Sequence, residues 1–377
     1  MYLFERLISV SIYTSFIFIF YILITRIKTK DIKYVLIAYW IIIGIMAFCY
    51  KPMESSDLSR LTPIMNGYSN MEFSELLDYI SEKRLSTPLE PIYYYIIGKL
   101  GNESWLPCIT ALIVYGLLFN IAYDYFKKNK VTKKNLAIGL LLFMSRGLFH
   151  IIIGNIRTGI SVSIIAWCVY QEKINDKKII KNFPLYVIAA SMHTIGQILL
   201  IIRLVLNITD KNRSSKHKIF YKVTGVILLL IVYYISVKYG IYDRLMRKSE
   251  SYISKYLEHI GYFYIWEYII NILYISFSFY LYKKNKKITM ESGKCDYDEY
   301  FKKIIIIDIA LIPIEYNLFY RLGWFVAFLQ LPFTMRLLNN YENTPQYSKV
   351  VGKIQTFSCL ILFLEALRGD LCGLKFW

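Results

Sequence analysis

The stretch Ile151-Ile152-Ile153-Gly154-Asn155-Ile156-Arg157-Thr158-Gly159-Ile160-Ser161-Val162-Ser163-Ile164-Ile165-Ala166-Trp167 decides how this chain is read. Two apolar runs flank a short polar break, and an arginine stands in the break. A charge near the end of a membrane-spanning helix is costly in hydrocarbon unless it faces a cavity, a partner or an anionic ligand. Arg157 is therefore a candidate functional residue, and the runs on either side are candidate spans. Asn155, Thr158 and Ser161 extend its polar face, and Gly159 allows a backbone or ligand to come close.

Outward from this stretch, apolar runs of about 17–25 residues, enough to cross a bilayer, recur along the whole chain. Of its 377 residues 56% are hydrophobic and 19% charged, and the mean hydropathy is +0.40. A soluble domain is less apolar and about one quarter charged. The expected fold is all-α: a polytopic helical integral membrane protein, one transmembrane domain over residues 1–377. About ten full spans are expected, near 7–25, 34–50, 103–124, 135–153, 156–170, 221–239, 262–281, 304–320, 322–338 and 351–367. Segments 89–100 and 183–206 read as short or re-entrant. The first run, Leu7 to Thr25, is too long for a cleavable signal and lacks a small-residue cleavage site, so it reads as a retained span.

The net charge is +18. In a soluble protein that would point to nucleic acid; in a membrane protein it first reports topology, because Lys and Arg are retained on the cytoplasmic side. Basic clusters lie at 26–33, 127–134, 173–181, 211–222 and 283–303. All are cytoplasmic together only if 183–206 enters and leaves on the same side, as a hairpin with its tip near Met192-His193-Thr194. The positive excess then falls wholly on the cytoplasmic half, both termini lie outside, and no nucleic-acid partner is needed. The large outer loops run near 51–88, with an amphipathic stretch from Met71 to Ile80, and near 241–261.

Polar groups converge on the outer side in this topology: Asp57 and Arg60 after the second span, Glu90 at the start of the short segment, Arg146 and Arg157 flanking a turn, His193 at the hairpin tip, and Arg321 at a further outer turn. Each has an ordinary structural alternative: arginines that snorkel to headgroups, a histidine satisfied in a core, a surface ion pair. Several arginines on one face suit phosphate, since guanidinium grips its oxygens bidentately. There is no Walker loop, no His-Glu-x-x-His and no Gly-x-Ser-x-Gly, so the sequence lends no support to ATP hydrolysis, zinc proteolysis or serine hydrolysis. The six cysteines are scattered without metal-ligand or disulfide spacing. No acidic cluster suits a divalent metal, which favours metal-independent chemistry.

The order of motifs resembles the EpsG/Wzy-like bacterial polysaccharide polymerases. The matching pieces are Asp57-Leu58-Ser59-Arg60, Glu90-Pro91-Ile92-Tyr93, Asn155-Ile156-Arg157-Thr158-Gly159-Ile160-Ser161, Ala190-Ser191-Met192-His193-Thr194, and Phe319-Tyr320-Arg321-Leu322-Gly323-Trp324 ahead of Leu331-Pro332. The resemblance covers roughly residues 1–370 in order. Leu61-Thr62 stands where the family usually has a tyrosine, and Thr194 where a serine is common. The resemblance implies an enzyme of the bacterial cytoplasmic membrane with its site facing outward. It would join oligosaccharide repeat units carried on undecaprenyl diphosphate, with no cofactor, and with a chain-length regulator as a further partner. It assigns catalysis to Asp57, Arg157 and His193, with Asp57 or His193 as general base. Diphosphate binding falls to Arg60, Arg157 and Arg321, and further substrate contacts to Glu90 and Asn155. A flippase for the lipid-linked oligosaccharide and an O-antigen-ligase-like transferase draw on the same cationic chemistry and stand as rival readings.

Overall fold

The computed structural model describes residues 2–50, 57–83, 85–146, 149–208, 262–289, 295–312 and 316–368, and all regular structure among them is helical. In chain order the helices are α1 (Tyr2–Arg26), α2 (Ile32–Phe48), α3 (Asp57–Ser69), α4 (Phe73–Glu82), α5 (Leu89–Gly98), α6 (Trp105–Lys128), α7 (Lys133–Arg146), α8 (Phe149–Gly154) and α9 (Ile156–Lys173). Then follow α10 (Ile179–Met192), α11 (Thr194–Ile208), α12 (Tyr262–Thr289), α13 (Asp296–Leu311), α14 (Tyr316–Tyr341) and α15 (Tyr347–Arg368). Thr29–Phe48, Trp105–Lys128 and Tyr347–Glu365 are each long and apolar enough to cross a bilayer, and α1, α10 and α11 contain shorter apolar stretches.

The centre of the bundle is α7, α9 and α14. On α7 every side chain from Asn135 to Arg146 is buried, and α9 is buried on nearly every face from Ile156 to Glu172. A helix covered all round is an interior helix. Around these, α1 runs antiparallel to α7: Tyr13 donates to the Met144 carbonyl at 3.4 Å and Lys133 to that of Ile27 at 2.6 Å. Helix α2 runs antiparallel to α6, where Trp40 donates to the Leu112 carbonyl at 2.7 Å. Helix α6 runs parallel to α9, joined by Trp167 to Asn120 at 3.0 Å and Tyr170 to Asp124 at 2.7 Å. Helix α12 runs parallel to α14, joined by Ser278 to Gln330 at 2.7 Å and Asn340 to Asn285 at 3.0 Å. One end of the bundle therefore gathers Phe48, Trp105, Arg146, Asn155 and Phe319. The other gathers Lys128, Lys133, Asn175, Asn285 and Tyr347. Bulky apolar side chains such as Ile19, Ile22, Ile45, Ile180 and Phe363 stand exposed on the outer faces, as lipid contact requires.

The expected hairpin is present. Helices α10 and α11 are joined by His193 alone and run antiparallel. A Cβ at Gly196 would stand 2.1 Å from the Ala189 carbonyl oxygen, so only glycine lets the arms meet this closely at the tip. The arms' other ends are bound by a buried pair: Arg203 Nε and Nη2 donate to one Glu172 oxygen at 2.9 and 2.6 Å, and Asn182 donates to the other at 3.2 Å. Each arm rises about 21 Å, short of the roughly 30 Å hydrocarbon core.

Three expected spans are drawn differently. The run 135–153 is not one helix, since α7 stops at Arg146 and α8 begins at Phe149. The spans expected at 304–320 and 322–338 meet between Leu311 and Tyr316, not at Arg321. The sequence places Pro313 just past Leu311, and a proline has no N–H with which to continue the helical ladder. Arg321 thus belongs to the early turns of a 26-residue helix and not to a turn between helices. The outer loop at 51–88 folds into α3 and α4. The span at 221–239 and the loop at 241–261 lie outside the described residues.

Candidate active site

Asn155 takes the N-cap position of α9, and its carbonyl accepts the Gly159 N–H at 2.9 Å. This sets Arg157 in the first turn, at the end of the bundle that also holds α5. The Arg157 guanidinium donates through Nη1 to Glu90 Oε1 at 2.7 Å, with the two side chains 27% and 19% exposed. Glu90 lies in the first turn of α5, where the helix dipole favours an acidic side chain. Thr87 donates to its other oxygen at 3.1 Å, so both carboxylate oxygens are engaged. Pro91, in the same turn, is tolerated because the N–H it lacks has no partner within the helix.

The hairpin tip meets this pair from the other side. Ser161, one turn beyond Arg157, donates to the Ala189 carbonyl at 2.9 Å. Gln197, one turn beyond His193, donates to the Ser86 carbonyl at 2.8 Å and to that of Ala190 at 3.2 Å. Three ties therefore bring α9, α5 and the tip to one locality: Arg157 to Glu90, Ser161 to Ala189, Gln197 to Ser86. His193 is 6% exposed and its backbone is extended. Its Nδ1 accepts the Ile195 N–H at 3.1 Å, so the neutral ring carries its proton on Nε2 and presents a donor there.

Helix α3 packs over α5 and adds the loop's contribution. Arg60 is exposed on it, and the side chain of Asp57, which opens the helix, lies outside the described residues. Tyr68 feels both Glu90 and Arg157; burial first, then Tyr79 and the Glu90 charge, push its phenol up to about 12. It is a neutral hydroxyl in any physiological medium.

Of the arginines expected on one face, Arg146 is withdrawn from the surface. Arg146 does not snorkel. It is 2% exposed, donates from Nη2 to Asn271 Oδ1 at 3.1 Å and pairs with Glu365 at 3.5 Å. The rings of Tyr320 and Tyr274 lie 5.6 and 6.0 Å from its Cζ. The motif around Arg321 builds this socket. The Phe319 carbonyl accepts from Asn271 at 3.2 Å, Tyr320 covers the guanidinium, and Gly323 leaves room for Asn271, whose Oδ1 would lie 2.2 Å from any Cβ there. Arg321 is half-buried beside it. Asn271 and Glu365 escaped the sequence reading. Glu365 had a legible signal, a lone carboxylate after Leu360-Ile361-Leu362-Phe363-Leu364, by the same reasoning that singled out Arg157.

The Arg157–Glu90 pair offers a partly exposed cation with a carboxylate tied to it, a group able to hold a phosphate with a proton acceptor beside it, and the ties at Ser161 and Gln197 bring the hairpin tip into the same locality. The family model described as EpsG matches residues 65–370. That range contains Glu90, Arg157, His193 and Arg321. No curated protein and no solved structure matches the chain.

Proposed function

The chain belongs to the EpsG family, and on that premise we propose that it is a polysaccharide polymerase, a membrane glycosyltransferase that joins oligosaccharide repeat units carried on undecaprenyl diphosphate. It works at the outer face of the bacterial cytoplasmic membrane, as a single domain of about ten spans of the length a bilayer requires. The growing chain on one lipid is transferred to the terminal sugar of the next lipid-linked unit. The observation that carries this reading is the meeting of Arg157, Glu90 and the His193 tip at one end of the bundle.

Glycosyl transfer needs the departing diphosphate stabilised and the acceptor hydroxyl relieved of its proton. Fixed cations in a water-poor site do the first. Arg157 is exposed enough to be reached by a ligand and buried enough for its charge to be poorly screened. His193 Nε2 adds a neutral donor. Arg60 on α3 and Arg321 on α14 are the cations for the second lipid diphosphate, and Asn155 serves the sugar beside Arg157. The acceptor's proton passes to a carboxylate, Asp57 or Glu90. Because arginine supplies the positive charge, no step calls for a metal.

The test is the length of surface glycan in a deletion strain complemented with wild type or Arg157→Ala, read as ladders on a gel. Single repeat units without ladders, restored by wild type and not by Arg157→Ala, are expected. An unchanged ladder in the deletion strain rejects the polymerase; loss of all surface glycan transfers the reading to a flippase.

A further inference from the structure

Glu90 and Arg157 present a chemical problem to any diphosphate that approaches. The guanidinium that should receive it is already bound to a carboxylate at 2.7 Å. That carboxylate is anchored by Thr87 on a first turn stiffened by Pro91 and held to the hairpin tip through Ser86 and Gln197. A diphosphate carries more charge than a carboxylate and offers more oxygens to the guanidinium fork, so it competes for Arg157 directly. When it wins, a carboxylate loses its cation within a few ångströms of the bound diphosphate. A carboxylate relieved of an ion pair accepts protons more readily than one within it.

We propose that Glu90 is the general base of glycosyl transfer, held inactive on Arg157 until the donor's diphosphate takes the arginine. This rests on reading the Arg157 locality as the transfer site. The step balances. The acceptor hydroxyl oxygen forms a bond to the donor's anomeric carbon, and its proton goes to a Glu90 oxygen. The bond from the anomeric carbon to the diphosphate oxygen breaks, and its electron pair leaves with undecaprenyl diphosphate, whose new charge faces Arg157. His193 is unsuited to the proton's acceptance, since Nδ1 is taken by Ile195 and Nε2 carries a proton. The pairing also makes the base dependent on the donor: with no diphosphate bound, the Glu90 carboxylate stays on the arginine.

The experiment uses the full-length protein in detergent with lipid-linked repeat units, comparing wild type, Glu90→Gln, Glu90→Asp and Arg157→Ala. Glutamine keeps an acceptor oxygen for Arg157 and turns its amide N–H toward Thr87, whose hydroxyl oxygen accepts it, so the local packing survives; a melting curve checks this. Turnover in Glu90→Gln falls by about 10²- to 10⁴-fold, the usual contribution of a general base. Glu90→Asp recovers part of the rate. Binding of inorganic pyrophosphate and of undecaprenyl diphosphate tightens severalfold in Glu90→Gln, because the competing charge is gone; a gain for the lipid form alone assigns the site to the lipid-linked ligand. Near-normal turnover in Glu90→Gln overturns the base. Unchanged affinity for both probes overturns the competition. If Arg157→Ala still polymerises and still binds both probes, the locality is not the transfer site, and the underlying reading fails instead.

Discussion

Two arginine–glutamate pairs lie toward the same end of this bundle and are built in opposite ways. Arg157 and Glu90 make a short contact, each side chain about a fifth to a quarter exposed. Arg146 and Glu365 make a long one, 3.5 Å, with both side chains sealed to 1% or less and two tyrosine rings against the guanidinium. The shorter bond is the more replaceable of the two, because a ligand can reach it and offer the arginine an equal or better partner. The longer bond is inaccessible to any ligand, and its loss would leave a charge with no water to receive it. Bond length ranks the pairs one way and accessibility the other; for function, accessibility decides.

The contrast can be broken at several points. The largest effect is expected from Arg146→Ala, which takes the cation from the buried Glu365. Removing one partner of a buried pair costs about 3–5 kcal/mol, and the variant should melt well below wild type in detergent; a wild-type melting temperature would remove the distinction. Next is Gly323→Ala, whose Cβ collides with Asn271. Overpacking of this kind costs about 1–3 kcal/mol, and it should loosen the Arg146 socket without changing pyrophosphate binding at Arg157. A variant that keeps its melting temperature but loses pyrophosphate binding would instead link the two arginines functionally. Gln197→Ala takes the tie from Ser86 and should cost about 1 kcal/mol in stability, with a larger loss of turnover, since His193 and Glu90 are no longer held in register. The smallest change in melting is expected from Arg157→Ala, under about 1 kcal/mol as for other partly exposed pairs, while polymerisation is abolished. That inversion between Arg146 and Arg157, stability against activity, is the sharpest form of the comparison.

The sequence displays the membrane character of the chain openly, because a span needs only length and hydropathy to announce itself. It also discloses the hairpin, through the requirement that basic loops share a side. Arg157, Glu90 and His193 were each legible as polar groups in apolar surroundings. Their pairing was not, because residues 90 and 157 are joined by packing, and no periodicity records a contact between helices 67 positions apart. The Arg321 motif was read by its charge, whereas its backbone carbonyl, ring and glycine are what the fold uses, to hold Asn271 and Arg146. The helix boundary expected at Arg321 follows a conspicuous polar residue, whereas Pro313, which lacks a helical N–H, is the stronger local signal.

The α10–α11 hairpin has a consequence for parity. Its two helices begin and end at the same end of the bundle, bound there by Glu172, Asn182 and Arg203. It therefore adds two apolar segments to the chain without changing the side on which the chain continues. An algorithm counting hydrophobic stretches that takes 183–206 as a single crossing inverts every loop after residue 208. Reporter fusions at Asn175 and Asn207 are expected to report the same compartment, and opposite answers would show that the hairpin crosses the membrane.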